Sequence, residues 1–471
     1  MRQCRRRVPL LTLAMLAAAG SAFLPSAPTW SGDPEVAAIS EALTQAVNAL
    51  HAVPDEDARG LTRAIGLARV RVLLLEGNRQ AASREASSLI YRFRDEALMS
   101  LAFAQVATGD IDAALTTVAL VGGTYSPEAP FAYVAWAVAN QGDAARALEI
   151  AKGLQREESL VLALGDIAVT QAEFGDLAGA TATAEMLGSP VERAVALADV
   201  SLVQFRLGDR TGASVTLARA DSVIRNAASS PQRSYALQVA AAVHAQFRDF
   251  SSARALASLG ETSELRETIR WNLSMALAAA GDAPGALRVD SSIKRNGYLA
   301  ASLADGGHLN AAREALEKVW GDENRIEALR HVATVFAKRQ VRNESARLFA
   351  SARRIATTLR DPFWRACRLR KVAISQAEVA FDADALDTAA TIAVASERRR
   401  AFREIARAQA VNGRFAVAVK SAIDRLDPLT RAAAMLGAAE GALETAGFSD
   451  ASEIKVNRYR RRSSVLMNVA C

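Results

Sequence analysis

The chain has 471 residues, of which 51% are apolar and 6% aromatic, with a formal net charge of +6. That length exceeds one ordinary core and suits several domains or one repeat array. The apolar content excludes a disordered chain, 12 prolines and 27 glycines exclude collagen-like and low-complexity classes, and three cysteines exclude a disulfide scaffold.

Residues 1–27 have the ordered parts of a secretory signal and a short linker. Arg2, Arg5, Arg6 and Arg7 form a basic start, Leu10 to Ala19 is an apolar run, and Gly20-Ser21-Ala22 is a small-residue exit. The run is too short for a comfortable membrane span. The expectation is export to the periplasm. Removing this segment takes away four arginines and no acid, so the charge falls to about +2. The remainder is polarised: residues 31–220 carry 24 acids against 15 bases, and residues 321–471 carry 17 acids against 27 bases. A basic end attracts anionic partners; nucleic acid is not expected in that compartment.

Residues 28–58 read as a leader helix. From residue 59 to about 451 a Gly-Asp turn recurs, at Gly109-Asp110, Gly142-Asp143, Gly175-Asp176, Gly208-Asp209 and Gly281-Asp282, with variants at Gly77-Asn78, Arg248-Asp249 and Gly413-Arg414. The steps from 77 to 208 are 32, 33, 33 and 33 residues. Five residues after each turn stands an alanine, as at Ala114, Ala147 and Ala180; seven before stands Ala or Ser, as at Ala102, Ala135 and Ser201. Degraded turns keep the same small residues near Gly307, near Val341 (Thr334, Ala346) and near Ala380, and the array is expected to bend or break at the first two. Glycine ends one helix where a left-handed residue costs little. Asp or Asn caps the next. Small residues sit where the two helices cross. Such a pair cannot bury its apolar faces alone, so neighbours must stack. Prolines fall between units or at helix starts, Pro34, Pro362 and Pro428 each after an Asp. No segment alternates long enough to demand a strand. The pattern predicts about two dozen helices in eleven or twelve pairs. Residues 452–471 form a basic tail with Lys455, Arg458, Arg460, Arg461 and Arg462.

The unit of 33 or 34 residues, with a small residue in the first helix, Gly at the turn and Ala five later, resembles the tetratricopeptide repeat. The family's early Trp, its Tyr residues and its closing Pro are mostly absent here. The resemblance implies an all-α fold, a right-handed α-α superhelix whose first helices line a concave surface where partners bind. Counting back six, ten or thirteen from each turn then nominates groove residues. These are Trp136, Trp271, Met275, His331, Arg370, Arg400, Arg403 and Arg407. The groove is expected to be aromatic and apolar in its middle and basic toward its end. Arginine holds a carboxylate by two parallel hydrogen bonds, which points to an acidic segment or a C-terminal carboxylate of a protein partner. The structural alternative is that these arginines pair with acids of adjacent repeats, such as Glu404 or Asp424.

Catalytic constellations are absent from the pattern. The four histidines, His51, His244, His308 and His331, show no metal-ligand spacing, and no phosphate loop or nucleophile elbow occurs. No cofactor is expected. Cys367 is expected to be a small apolar helix residue, unpaired with Cys471. The expectation is a non-enzymatic periplasmic scaffold or adaptor. Two other readings stand beside it: an enzyme or enzyme subunit acting on peptidoglycan through carboxylates converging across the groove, and an adaptor that lies on an anionic membrane surface through the basic C-terminal end.

Overall fold

The computed structural model describes residues 34–448, apart from 124, 261, 295–296 and 424–426. Among the described residues every regular element is helical. Helix α1 (Pro34–Leu50) comes first. The pairs that follow are α2 and α3 (Asp55–Leu75, Arg79–Ser88), α4 and α5 (Tyr91–Ala107, Ile111–Val118), and α6 and α7 (Ala129–Asn140, Ala144–Lys152). Next come α8 and α9 (Glu157–Glu173, Leu177–Glu185), α10 and α11 (Pro190–Arg206, Arg210–Asn226), and α12 and α13 (Pro231–Gln246, Phe250–Ser258). Then come α14 and α15 (Ser263–Ala279, Ala283–Val289), α16 and α17 (Tyr298–Asp305, Leu309–Leu316), and α18 and α19 (Asp322–Lys338, Arg342–Thr358). Last are α20 and α21 (Pro362–Glu378, Asp382–Ala390), α22 and α23 (Ala395–Val411, Phe415–Ile423), and α24 (Pro428–Thr445). The chain is thus an all-α solenoid, as its repeat predicts.

The turn works as its residues dictate. Gly109 has φ +80°, its N–H bonds the Val106 carbonyl at 2.8 Å, and the Asp110 N–H reaches back to Gln105 at 2.9 Å. This closes the helix with a left-handed residue. Asp110 Oδ1 then accepts from Ala113 N–H at 3.3 Å and caps the second helix. Asp143, Asp176, Asp209 and Asp282 repeat the cap. At three turns a residue with a side chain takes the left-handed role: Arg248, Gln340 and Ala380, with φ 62°, 65° and 61°. The turn expected near Val341 therefore lies one residue earlier. The small residue five beyond it is Ser345, fully buried with its hydroxyl on the Ala333 carbonyl at 2.7 Å, and Ala346 is only half-buried. Gln and Thr add a bond that spacing did not predict: Thr117, Thr183 and Thr388 on second helices donate to Gln105, Gln171 and Gln376 on their first helices, at 2.8, 2.6 and 2.9 Å.

Most first helices run 17 residues and most second helices 8 to 10. Exceptions explain the irregular steps. Helices α11 and α19 have 17 residues each, and α16 has only 8, preceded by a 3₁₀ turn at Ser291–Lys294. The array does not break at α16 or α19: one apolar core runs from Ala253 through Leu443.

Each first helix packs on the next first helix, and each second helix packs on its own first helix and the one after. The first helices therefore form the inner layer. The first and last described helices meet: α24 packs on both α1 and α2. Helix α1 buries Val36, Ile39, Leu43, Ala46 and Leu50, a stripe at helical spacing, in the same core as Leu436 and Leu443. It stands beside α24 as a second helix stands beside its first. The twelfth pair is thus split between the two ends of the described chain, and the solenoid closes into a ring of twelve pairs. The repeat pattern by itself does not foretell this closure. Beside the closing contact, α22 and α24 cross very tightly. A Cβ added to Gly437 would overlap the carbonyl oxygen of Arg403, and one added to Gly441 would overlap that of Arg407. Cys367, buried on α20, is disulfide-bonded, contrary to the expectation of an unpaired thiol; its partner lies outside the described residues.

Candidate functional site

Between Val161 and Val169 of α8 the partly exposed residues are Val161, Leu162, Gly165, Asp166 and Val169, and the residues between them are buried. That stripe is the face left over once α9, the preceding second helix and both neighbouring first helices are packed, so it is the inner face. The residues nominated from the sequence fall on this register, and the structure separates them into two groups.

The first group is absorbed by packing between neighbouring first helices. Trp136 is 9% exposed and meets Phe103 edge to face at 6.2 Å. Trp271 meets Tyr298 edge to face at 5.3 Å and stays half-buried. Met275 is 1% exposed, with the Ser302 hydroxyl 3.4 Å from its sulfur. His331 Nε2 lies 2.9 Å from Asp305 Oδ1. Arg370 is buried between Glu397 and Glu404, each at 2.8 Å. Desolvation opposes its charge, and the two carboxylates more than offset that, so its pKa stays above the ordinary arginine value.

The second group comes together. Arg400, Arg403 and Arg407 line a recess of about 420 Å³ at the closure of the ring. Its walls come from α2 and α4 at one end of the chain and from α22 and α24 at the other. Arg403 binds Glu440 with both Nε and a terminal nitrogen, the former at 2.9 Å. Arg407 binds Glu444 at 3.0 Å from Nε and 2.8 Å from a terminal nitrogen. These two pairs bridge α22 to α24 over the glycine contacts. Burial pulls Arg403 down, and the bond and charge of Glu440 hold its pKa above the ordinary value. Arg400 differs: its side chain is 57% exposed, and among the described residues only Nε is engaged, to Glu404 at 2.9 Å. The pairing with Glu404 considered at the outset is thus present for Arg370 and Arg400, while Asp424 lies outside the described residues, as does the basic tail.

Sequence reasoning missed the other half of the recess: Arg71, Arg92, Phe93, Glu96 and Phe448. A signal was available. Arg71 stands six before Gly77 as Arg407 stands six before Gly413, and Glu96 stands thirteen before Gly109 as Arg400 stands thirteen before Gly413. Arg71 is 6% exposed with Nε 3.3 Å from the Ser100 hydroxyl. Arg92 is exposed, lies over the Phe93 ring at 5.1 Å and makes no ion pair among the described residues.

A second charged cluster fills the junction of α18 and α20. Glu327 accepts from Arg330 at 2.8 Å and from Arg368, and lies 3.6 Å from Lys371. Burial pushes the Glu327 carboxyl up, but the cations around it hold its pKa below the ordinary range. Burial, reinforced by three nearby arginines, pulls Lys371 down despite Glu327. Three cations sharing one largely buried carboxylate form a structural knot, since removing it would leave Arg330 and Lys371 uncompensated and Arg368 with Glu323 alone. Among the described residues no group of His, Cys, Asp or Glu is arranged to hold a metal ion, and no helix is long and apolar enough to cross a membrane.

No family model and no curated protein matches the chain. Among solved structures it is similar to the crystal structure of Ton1535 from Thermococcus onnurineus NA1, at 15% identity over 72% of this chain and 98% of that one, with a TM-score of 0.26. It is also similar to a circular tandem repeat protein with novel repeat topology and enhanced subunit contact surfaces, at 15% identity over 93% of this chain and 98% of that one, with a TM-score of 0.16. The chain itself is an all-helical solenoid of repeating helix pairs.

Proposed function

We propose that this chain is an exported, non-enzymatic binding protein, a divergent relative of tetratricopeptide-repeat proteins, that docks a protein partner on the inner face of its ring. The observation that carries this reading is the inner stripe of the first helices, which keeps Val161, Leu162, Val169 and Trp271 partly exposed. Apolar side chains left half-uncovered in line around a curved surface suit capture of a partner segment. The arginine-rich last units give the surface a basic end suited to an acidic segment. Periplasmic location rests on the order of residues 1–27, which lie outside the described part.

The test is retention of partners from periplasmic extract by the immobilised protein. Leu162→Asp and Trp271→Ala should each reduce retention of a given partner about tenfold with the circular dichroism unchanged. Val215→Asp changes a side chain that is 60% exposed on the second helix α11 and should retain the partner fully. Unchanged retention by both inner variants would refute the reading. Reversing Arg403 or Arg407 is a poor test, because those two hold Glu440 and Glu444 at the closure.

A further inference from the structure

The closure recess has a chemistry of its own, independent of the stripe on α8 and α14. Five arginines and four glutamates line it, a formal excess of one positive charge. The glutamates Glu404, Glu440 and Glu444 are already ion-paired. Arg403 and Arg407 are each committed to one carboxylate. The donors left over are on Arg400, whose terminal nitrogens have no partner among the described residues, and on Arg92, which lies over Phe93 and makes no ion pair among the described residues. Both line the same cavity. Beside them, Phe93, Phe448 and Leu67 supply an apolar wall.

We propose that this recess binds a small organic monocarboxylate, its carboxylate clasped by Arg92 and Arg400 and its apolar body resting against Phe93 and Phe448. Charge, geometry and size select that ligand. A single negative charge neutralises the excess of one, whereas a phosphate dianion would leave net negative charge among four fixed carboxylates. A guanidinium offers parallel N–H groups matched to a carboxylate. A volume near 420 Å³ lies in the range of small-molecule pockets. Arg92 is on α4 and Arg400 is on α22, so the site exists only while the ring is closed. A ligand that needs the closed state stabilises it by mass action.

The test titrates the full-length protein with acetate, butyrate, benzoate and octanoate, with benzyl alcohol and inorganic phosphate as controls at matched ionic strength. Binding is read by saturation-transfer NMR and by the shift in melting temperature. Affinity should rise at least tenfold from acetate to the larger carboxylates, and the alcohol should fail to bind. Arg400→Gln and Arg92→Gln should each weaken benzoate at least fivefold. Arg146→Gln, which breaks an exposed ion pair at α7, should leave it unchanged. Equal binding of benzyl alcohol, tighter binding of phosphate, no binding of any carboxylate, or indifference to both arginine variants would each overturn the proposal. Partner retention in the preceding assay is scored separately, so either reading can fail alone.

Discussion

The last two first helices touch through glycine, and that contact is open to direct test. Gly437 sits inside α24, where its missing side chain lets the backbone rest on the Arg403 carbonyl of α22. In Gly437→Ala the new methyl would overlap that oxygen and lie 3.0 Å from Arg403 Cα. Ordinary contact requires the helices to part by more than ~1 Å. Overpacking of this kind costs about 1–3 kcal/mol, while the better helix propensity of alanine returns up to about 1 kcal/mol. The net loss should be about 1–2 kcal/mol, concentrated at α22, α24 and α1. Gly60→Ala is the matched control: Gly60 is an exposed interior residue of α2 with nothing within 4 Å of the new methyl. It should stabilise by about 0.5–1 kcal/mol. Because a solenoid need not unfold as one unit, hydrogen exchange of α24 amides should be measured together with urea unfolding. The Gly437 variant should exchange about 5- to 30-fold faster there and the Gly60 variant should not. If α24 exchanges at the parental rate in Gly437→Ala, the tight crossing does not hold the closure and the reasoning fails.

Ala380→Gly should stabilise by about 0.5 kcal/mol, because a left-handed alanine costs roughly 1–2 kcal/mol and glycine returns part of that in chain entropy; a lower urea midpoint would contradict it. Glu327→Gln leaves Arg330, Arg368 and Lys371 around a neutral side chain and should cost about 3 kcal/mol in urea unfolding, with loss under about 1 kcal/mol counting against the knot. Ile39→Asp with Leu43→Asp should strip α1 from α24, raising the radius of gyration in solution scattering and dye binding by exposed apolar surface; an unchanged scattering profile would show that α1 is not the closing element. Asp249 titrates at about 2: burial pushes it up, but hydrogen bonds from Ser252 and Ser251 and the charge of His244 prevail. Its folded pKa lies below the unfolded value of 3.8, so its contribution is full above about pH 4 and is lost as pH falls toward 2. With the side chain 39% exposed, screening keeps that contribution to about 1 kcal/mol or less. Asp249→Asn should therefore flatten the acid limb of a stability–pH curve, and an unchanged limb would exclude it.

What could be read along the chain was local. The turn is encoded by a glycine that accepts positive φ and an Asp that caps the next helix, both within five residues, and Gly109-Asp110 forms as its letters predict. The alanines five residues after each turn are buried for the same local reason. Even the non-glycine turns at Arg248 and Ala380 were visible through their flanking small residues, while Gln340 was misplaced by one because nothing in its own chemistry marks it. Closure was not legible. Twelve units return to their start only if the rotation per unit averages about 30°, and that angle is the sum of many small interhelical contacts. Whether Arg400 is exposed or consumed, like Arg370, depends on which carboxylate a neighbouring unit brings within reach, and Glu440 and Glu444 reach Arg403 and Arg407 only because Gly437 and Gly441 let two helices touch. The unit is a property of short stretches of sequence, and the ring, with the recess at its seam, is a property of how those units accumulate in space.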